Sequence, residues 1–540
     1  MEVQRVRVAS HPGFSSPSYI RSPVPTMLEV SGAEAGRTAA VALEERRVSR
    51  LALGLATGSF VAAVVLVVRV AVDGPVSAVV EAENGRAVLG FAVDQLASVV
   101  LVLVTGISLT VQGFALRYLR GDPRAGKFFI GASMLTVATA AVATAATLTG
   151  LAAAWVLVSV SVCVLLAHRT DLPEARSGLS RTVRAFVIGD AALVAAVVLI
   201  VATVGDLDLR TLASGVLDGH RLEPVAWLSV PVAPVVAVLV VVAALARSAQ
   251  LPLPRWLPAT LAAPTPVSAL LHAGVVNAGG LLLIRLSPLL DKAPFATYLA
   301  LIAGGTTAIV ASASMLVRPD VKGSLAQSTV AQMGFMVVQC AVGAFGAAAF
   351  HLVAHAMYKA ALFLGSGSAI THERRHPPAP GPGRPAALQY FLAALLPFAS
   401  ITLVVVLVDP SVLHHPGGWL MAGFAWTSGA HATWGWLGSG PSLGRVVSAS
   451  AALVVGAAAY LGAVSAFGAF LAPALARPGP GFASQWWAVA GAVGVGVVAA
   501  MFATGRWEHV RDRLWVTVVD LAHLRPVGPM VPAMAVGQHR

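Results

Sequence analysis

Cysteine is nearly absent: 540 residues include two, Cys163 and Cys340, both inside apolar runs. Two such residues build neither a disulfide framework nor a thiolate metal site. There is no cysteine cluster for an iron–sulfur centre, no Walker-type phosphate loop and no strand–GxGxxG–helix unit. The chain is therefore expected to bind neither NADH nor ATP, and no cofactor or catalytic chemistry of its own is expected. Charge is scarce as well, with Asp, Glu, Lys and Arg making up 11% of the chain. That excludes a soluble domain with an ordinary solvated surface. Lysine is the rarest charged residue, present only as Lys127, Lys292, Lys322 and Lys359. The net charge of +12 thus comes almost wholly from arginine. The arginines lie mostly in short loops and tails, which reads as membrane topology and not as a nucleic-acid surface.

What the chain has in quantity is apolar surface. It is 57% hydrophobic, with a mean hydropathy of +0.80. This predicts an all-α, polytopic membrane protein whose main partner is the lipid bilayer. Fourteen candidate spans follow: 51–72, 86–116, 126–146, 150–167, 185–204, 225–246, 266–287, 297–317, 323–345, 347–370, 387–408, 418–437, 448–473 and 484–504. Each approaches the length needed for a hydrocarbon core of ~30 Å, and 13–14 transmembrane helices are expected, 150–167 and 418–437 being the weakest. Residues 1–50, polar and without a short apolar core before a cleavage site, are expected to be a disordered tail and not a signal peptide. Residues 51–504 would form the membrane domain and 505–540 a second tail.

Loop charges alternate. Arg117, Arg120, Arg124 and Lys127 sit in one loop, Arg169, Arg176, Arg181 and Arg184 in the next on that side, and Arg374, Arg375 and Arg384 in a third. The intervening loops carry Asp73, Glu81 and Glu83, then Asp206, Asp208 and Asp218. The positive-inside rule then places both termini in the cytoplasm of a cell-membrane protein. Between Arg247 and Pro266, five prolines (252, 254, 258, 264 and 266) forbid one regular helix and predict a broken one. The stretch 376–385, HPPAPGPGRP, reads as a plain linker.

Lys359 is the only lysine in the interior of a hydrophobic span, on the run FHLVAHAMYK (350–359); Lys127 stands at the very start of 126–146. His351, His355 and Lys359 are spaced four apart, so a helix places them on one stripe about three turns long. An ionisable group in hydrocarbon costs about 2.5–3.5 kcal/mol on insertion scales. Three on one face point to a proton or ion path; the bland alternative is polar glue between helices.

Two stretches, 248–286 (SAQLPLPRWLPATLAAPTPVSALLHAGVVNAGGLLLIRL) and 318–370 (beginning RPDVKGSLAQSTVAQMGFM), resemble the antiporter-like subunits of respiratory complex I and their relatives. Weaker matches are Asp94–Leu96, Tyr118–Asp122 and 184–190, so the resemblance covers roughly residues 86–370. Within that superfamily, which includes the NADH-quinone oxidoreductase chain 5 proteins, the chain looks most like the membrane subunits of Dab-type inorganic carbon pumps. The stretch His272–Gly280 has that branch's flavour, the chain ends soon after its last span, and some charged residues of complex I are missing. The resemblance implies a large zinc-binding partner similar to β-carbonic anhydrases, which hydrates carbon dioxide vectorially at the expense of a cation gradient.

It also implies roles. His351, His355 and Lys359 match the family's central helix, and His272 matches a histidine between half-channels. Lysine shifts its pKa readily when buried, and histidine titrates near neutrality and relays through two nitrogens. Asp190 stands where the family has an acid, either a relay or a partner for Arg247 or Arg184. Arg247 replaces the usual lysine; it cannot deprotonate, but it can hold an acid and tune its neighbours. Val156, after Trp155, replaces the usual glutamate. His431 is the only His, Lys, Arg, Asp or Glu of 387–408 and 418–437. Lys322 is a candidate entrance residue, Asp320 a helix start and Asp94 structural. The path residues expected are therefore His351, His355, Lys359, His272, Asp190, Arg247 and Lys322. The leading function is a cation-coupled inorganic carbon pump subunit, with protons or sodium as the ion. The alternatives are a proton-translocating subunit of a quinone oxidoreductase or sodium/proton antiporter complex, and a scaffold that only anchors a soluble partner.

Overall fold

The computed structural model describes residues 32–81, 87–204, 209, 232–375, 387–414, 416–438 and 440–476. The chain divides into two units, Met1–Arg47 and Val48–Arg540, and apart from the first residues of helix α1 the architecture that follows is that of the second. The first helix, α1, runs Gly32–Asp73. It starts well before the expected residue 51, because the stretch 33–47 is rich in Ala, Glu and Arg, all strong helix formers. Its apolar part, Arg47–Asp73, is long enough to cross a bilayer.

The expected span 86–116 is two elements. Val76–Glu81 (β1) and Ala87–Val93 (β2) pair antiparallel as a hairpin, and helix α2 begins only at Gln95 and ends at Tyr118. Asp94 makes the boundary: its carboxylate accepts from the Ala97 N–H at 2.8 Å as a helix cap. Then come α3 (Ala125–Thr144), α4 (Leu148–Leu166) and α5 (Pro173–Val204). The Thr147 hydroxyl caps α4, accepting from Gly150 N at 3.1 Å.

Helix α6 has 16 described residues, Val232–Arg247. The chain then breaks where the prolines demand it, with 3-10 turns at Pro254–Trp256 and Pro258–Thr260. The expected continuous span 266–287 is itself interrupted: α7 (Thr265–Ala273) and α8 (Ala278–Arg285) are separated by a 3-10 turn at Val275–Asn277. The Asn277 amide fills the gap by donating to Ala273 O at 2.7 Å. This second break is tolerated because the segment is packed in protein, with 94% of the span buried. A short α9 (Ser287–Asp291) leads to α10 (Pro294–Leu316), α11 (Val321–Ala341), α12 (Phe345–Arg375), α13 (Ala387–Val408), α14 (Pro416–Trp436) and α15 (Leu443–Leu471).

Ten helices among the described residues are long and apolar enough to cross a membrane. α11 and α14, 21 residues each, are less apolar and fall outside that ten. The expected span 484–504 and the tail 505–540 lie outside the described residues. The core runs continuously through α2–α8, α11 and α12, with Trp155, Trp256, Phe128, Phe129 and Phe363 among its largest buried side chains. Leu, Val, Ile and Phe side chains stay exposed along α1, α10 and α13, as lipid-facing surfaces require.

Candidate ion path

The break after α6 ends the helix on a charge in the protein interior. Arg247 is its last residue and is 1% exposed. Its Nη2 donates to Asp190 Oδ1 at 2.9 Å, to Ser159 Oγ at 2.8 Å and to the Trp155 carbonyl at 3.1 Å. The guanidinium lies 4.4 Å from the centroids of both the Trp155 and Phe186 rings. Of the two expected cations for Asp190, the structure pairs it with Arg247, and Arg184 is exposed. Val156 is 37% exposed and does not enter this cluster. Ser159, one turn along α4, and Asp190 on α5 supply the polar partners instead.

The broken segment ties this cluster to the neighbouring helices. Ser248 Oγ donates to Val276 O at 2.8 Å, inside the break between α7 and α8. Gln250 Nε2 donates to Ser248 O at 2.6 Å and to Val330 O on α11 at 3.2 Å. A cavity of about 240 Å³ flanks this turn, lined by Leu251, Arg255, Thr307, Ser314, Gln327 and Val330 among others. It has room for several waters.

A second polar line runs along α12 and its contacts. Lys359, fully buried, donates through Nζ to Ser328 Oγ at 2.7 Å and to Leu325 O at 3.4 Å. His272, also fully buried, has Nδ1 at 3.0 Å from Thr329 Oγ1, and its ring stacks on Phe363 with centroids 4.2 Å apart. His355 Nε2 lies 3.2 Å from the His272 carbonyl oxygen. His351 Nδ1 lies 2.9 Å from Gln339 Oε1, and Gln339 Nε2 donates to Met421 Sδ at 3.2 Å. Lys322 Nζ donates to Thr265 Oγ1 at 2.8 Å, and Thr265 reaches the Tyr118 hydroxyl at 3.3 Å.

The order is spatial as well as chemical. Lys322 stands at the start of α11, Ser328 and Thr329 two turns further, and Gln339 near its end. The polar line therefore follows most of one helix, about 25 Å at 1.5 Å per residue. One end opens beside the loop that carries Arg117, Arg120 and Arg124, since Tyr118 closes α2 there. The other end lies toward the hairpin side. On that side Arg285, the last residue of α8, ion-pairs with Asp94 through both guanidinium nitrogens, one of them at 2.8 Å, and reaches Ala143 O at 3.3 Å.

The structure thus brings His272, His355 and Lys359 onto contacts with one another or with a shared helix face, and joins Asp190 to Arg247. Lys322 and His351 lie toward the two ends of the line, and the Asp190–Arg247 pair forms a separate cluster beside it. Sequence reasoning missed Ser159, Gln250, Ser328, Thr329, Gln339 and Arg285. The run LAQSTVAQ (325–332) carried a signal, four polar side chains in an otherwise apolar span. Asp320 caps α11, accepting from Gly323 N at 2.6 Å. Among the described residues no group of three or more His, Cys, Asp or Glu converges as metal ligands.

Two family models match this chain. The NADH:quinone oxidoreductase/Mrp antiporter transmembrane family matches residues 145–408, and the complex I chain 5 N-terminal family matches residues 80–129. Together they cover more than half of the sequence. The chain belongs to the antiporter-like superfamily of NADH-quinone oxidoreductase chain 5. It is 37% identical over 352 residues to a probable inorganic carbon transporter subunit, DabB1, of Halothiobacillus neapolitanus, covering 62% of each chain. It is 43% identical over 193 residues to a DabB subunit of Hydrogenovibrio crunogenus, covering 35% of this chain and 36% of that one. The match therefore spans less than two thirds of the length of these relatives. Among solved structures, the Mrp complex from a Dietzia species aligns with a TM-score of 0.56 at 24% identity, over 89% of this chain and 60% of that one. That likeness shows the same fold. Superfamily, helical architecture and multi-pass membrane character are thus as the residues predicted.

Proposed function

We propose that this chain is the membrane subunit of an energy-coupled inorganic carbon pump, in which it conducts protons or another cation to drive a zinc-binding, carbonic-anhydrase-like partner. The observation that carries the reading is the line of titratable groups from Lys322 through the buried Lys359, His272 and His355 to His351, in a chain whose relatives are named inorganic carbon transporter subunits. Titratable groups in hydrocarbon are costly, and a series of them gathered beside one helix, α11, suits ion movement better than adhesion. The positive loops support an orientation with the Lys322 end of the line, and both termini, on the cytoplasmic side of the cell membrane. Ion flow along the line would bias the partner's zinc chemistry through a coupling of two sites.

Arg247 supports a single path over two. A guanidinium does not release its proton in a protein, so the Asp190–Arg247 cluster acts as a fixed ion pair beside the line and not as a carrier. The experiment is bicarbonate-dependent growth at low carbon dioxide. Lys359→Ala should abolish rescue by the pump, and rescue at the wild-type level would remove the proposal. Affinity purification with mass spectrometry identifies the partner: a zinc-containing, carbonic-anhydrase-like protein is expected. The second reading, a subunit of a quinone oxidoreductase, draws on a chloroplastic NAD(P)H-quinone oxidoreductase subunit 5 of Zygnema circumcarinatum, 33% identical over 283 residues. It predicts flavin and iron–sulfur proteins in the same purification.

A further inference from the structure

We infer that Thr329 holds His272 as its Nδ1–H tautomer, so that His272 takes up and gives back a proton at Nε2 alone. The inference rests on the proton-path reading and changes what the histidines do within it. The Thr329 hydroxyl donates to the Leu325 carbonyl, one turn back on α11, at 3.0 Å. This is the usual back-bond of a threonine inside a helix. With its proton so engaged, Thr329 Oγ1 is an acceptor, and the group 3.0 Å away must present N–H. His272 Nδ1 is that group. In a neutral imidazole the other nitrogen is then bare. Nε2 is buried and has no hydrogen-bond partner among the described residues.

The hydrogen-bond chain leaving Nδ1 ends after two steps, at a backbone carbonyl that cannot carry a proton onward. A proton entering at Nε2 gives an imidazolium with N–H at both nitrogens. The Nδ1 proton stays in its bond to Thr329, and release from Nε2 restores the starting ring. His272 is therefore a storage site with one door and not a wire through the imidazole.

The same geometry governs His355. Its Nε2 faces the His272 carbonyl, which can only accept, so Nε2 carries the hydrogen and Nδ1 is bare and buried without a partner among the described residues. Thr329 and Ser328 are consecutive, so one turn of α11 positions His272 through one hydroxyl and the Lys359 ammonium through the next. Thr329 is on this account a positioning residue.

The test is a 15N spectrum of histidine-labelled protein in lipid at neutral pH, with the His272 signals identified by their loss in His272→Ala. Wild type is expected to show protonated Nδ1 and bare Nε2. Thr329→Ser, which keeps the hydroxyl, should retain that form. Thr329→Val, which keeps the shape and removes the acceptor, should shift the population to Nε2–H. A wild-type His272 found as Nε2–H, or a Thr329→Val spectrum identical to wild type, would overturn the inference. The wild-type spectrum decides by itself should Thr329→Val fail to fold. The tautomer is read without any transport, so carbon uptake surviving Lys359→Ala would end the proton-path reading while leaving the tautomer result to stand or fall separately.

Discussion

Arg247 and Asp190 form an ion pair at 2.9 Å in the interior of the bundle, with the guanidinium held between the rings of Trp155 and Phe186. Breaking such a pair from one side leaves an uncompensated buried charge, which costs about 3–5 kcal/mol. Asp190→Asn should therefore lower the midpoint of thermal unfolding in detergent sharply. Removing both charges leaves no orphan, so Asp190→Asn with Arg247→Gln should recover much of the loss. A double-mutant cycle measures the coupling. Strictly additive losses would mean that the pair contributes nothing as a pair.

Asp94 does two tasks at the hairpin side: it caps α2 through Ala97 N and it binds Arg285 across the bundle. Asparagine caps a helix about as well as aspartate, whereas alanine does not. Asp94→Asn should lose only the ion pair. Asp94→Ala should lose a further ~1 kcal/mol from the cap. Unfolding midpoints of the two variants separate the tasks, and equal midpoints would show that the cap carries no weight.

The loops beside Tyr118 hold a carboxylate cluster that titrates in acid. Arg124 donates to Asp171 at 2.7 Å, and that hydrogen bond, with the attendant charge, holds the Asp171 carboxyl below its ordinary value of 3.8. Burial alone would raise Asp122, but the Arg124 backbone N–H and His168, 3.0 Å away, outweigh it and hold Asp122 below 3.8 as well. Carboxylates depressed in the folded state stabilise it above their unfolded pKa, and lose that contribution as pH falls through the folded value. Protease sensitivity of the 119–124 and 167–173 loops should thus rise below about pH 4 and be flat from pH 5 to 7. Asp171→Asn should weaken the acid response, and an unchanged response in that variant would show that the Arg124–Asp171 contact does not carry it.

Much of the architecture was legible because its causes are local. Five prolines after Arg247 cannot share a helix, and the i, i+4 spacing of His351, His355 and Lys359 fixes a common face. The hairpin was hidden because AVLGFAV (87–93) is as apolar as the helix that follows, and only the cap at Asp94 separates them. The break at 274–277 was hidden too: glycine and asparagine permit it, but only a fully packed surround makes it affordable. The partners of the path were the least legible part. Ser328 and Thr329 are unremarkable residues in one dimension, and their meaning comes from contacts 31 and 57 residues away in sequence. Val156 illustrates the reverse. It replaces the glutamate that the resemblance implies, yet the position is partly exposed, and Arg247 takes its acid from α5.

The placement of Ser328 and Thr329 depends in turn on a glycine crossing. α10 and α11 approach at Gly304 and Gly334, where a Cβ on Gly304 would lie 2.8 Å from the Gly334 carbonyl, and one on Gly334 would lie 2.6 Å from the Gly304 carbonyl. Both obstacles are backbone, so neither can turn aside. Close backbone approach through small residues is how membrane helices gain packing when no hydrophobic force favours one neighbour over lipid. Gly334→Ala should push α11 away from α10, with an overpacking cost of about 1–3 kcal/mol. Because α11 carries Ser328 and Thr329 less than two turns from Gly334, the displacement should also loosen the hydroxyls that hold Lys359 and His272. If the chain serves carbon uptake as proposed, uptake per folded molecule should then fall along with the unfolding midpoint. A variant with a lowered midpoint and undiminished uptake would show that the path tolerates movement of α11. In that event the hydroxyl contacts on this helix would be packing and not machinery.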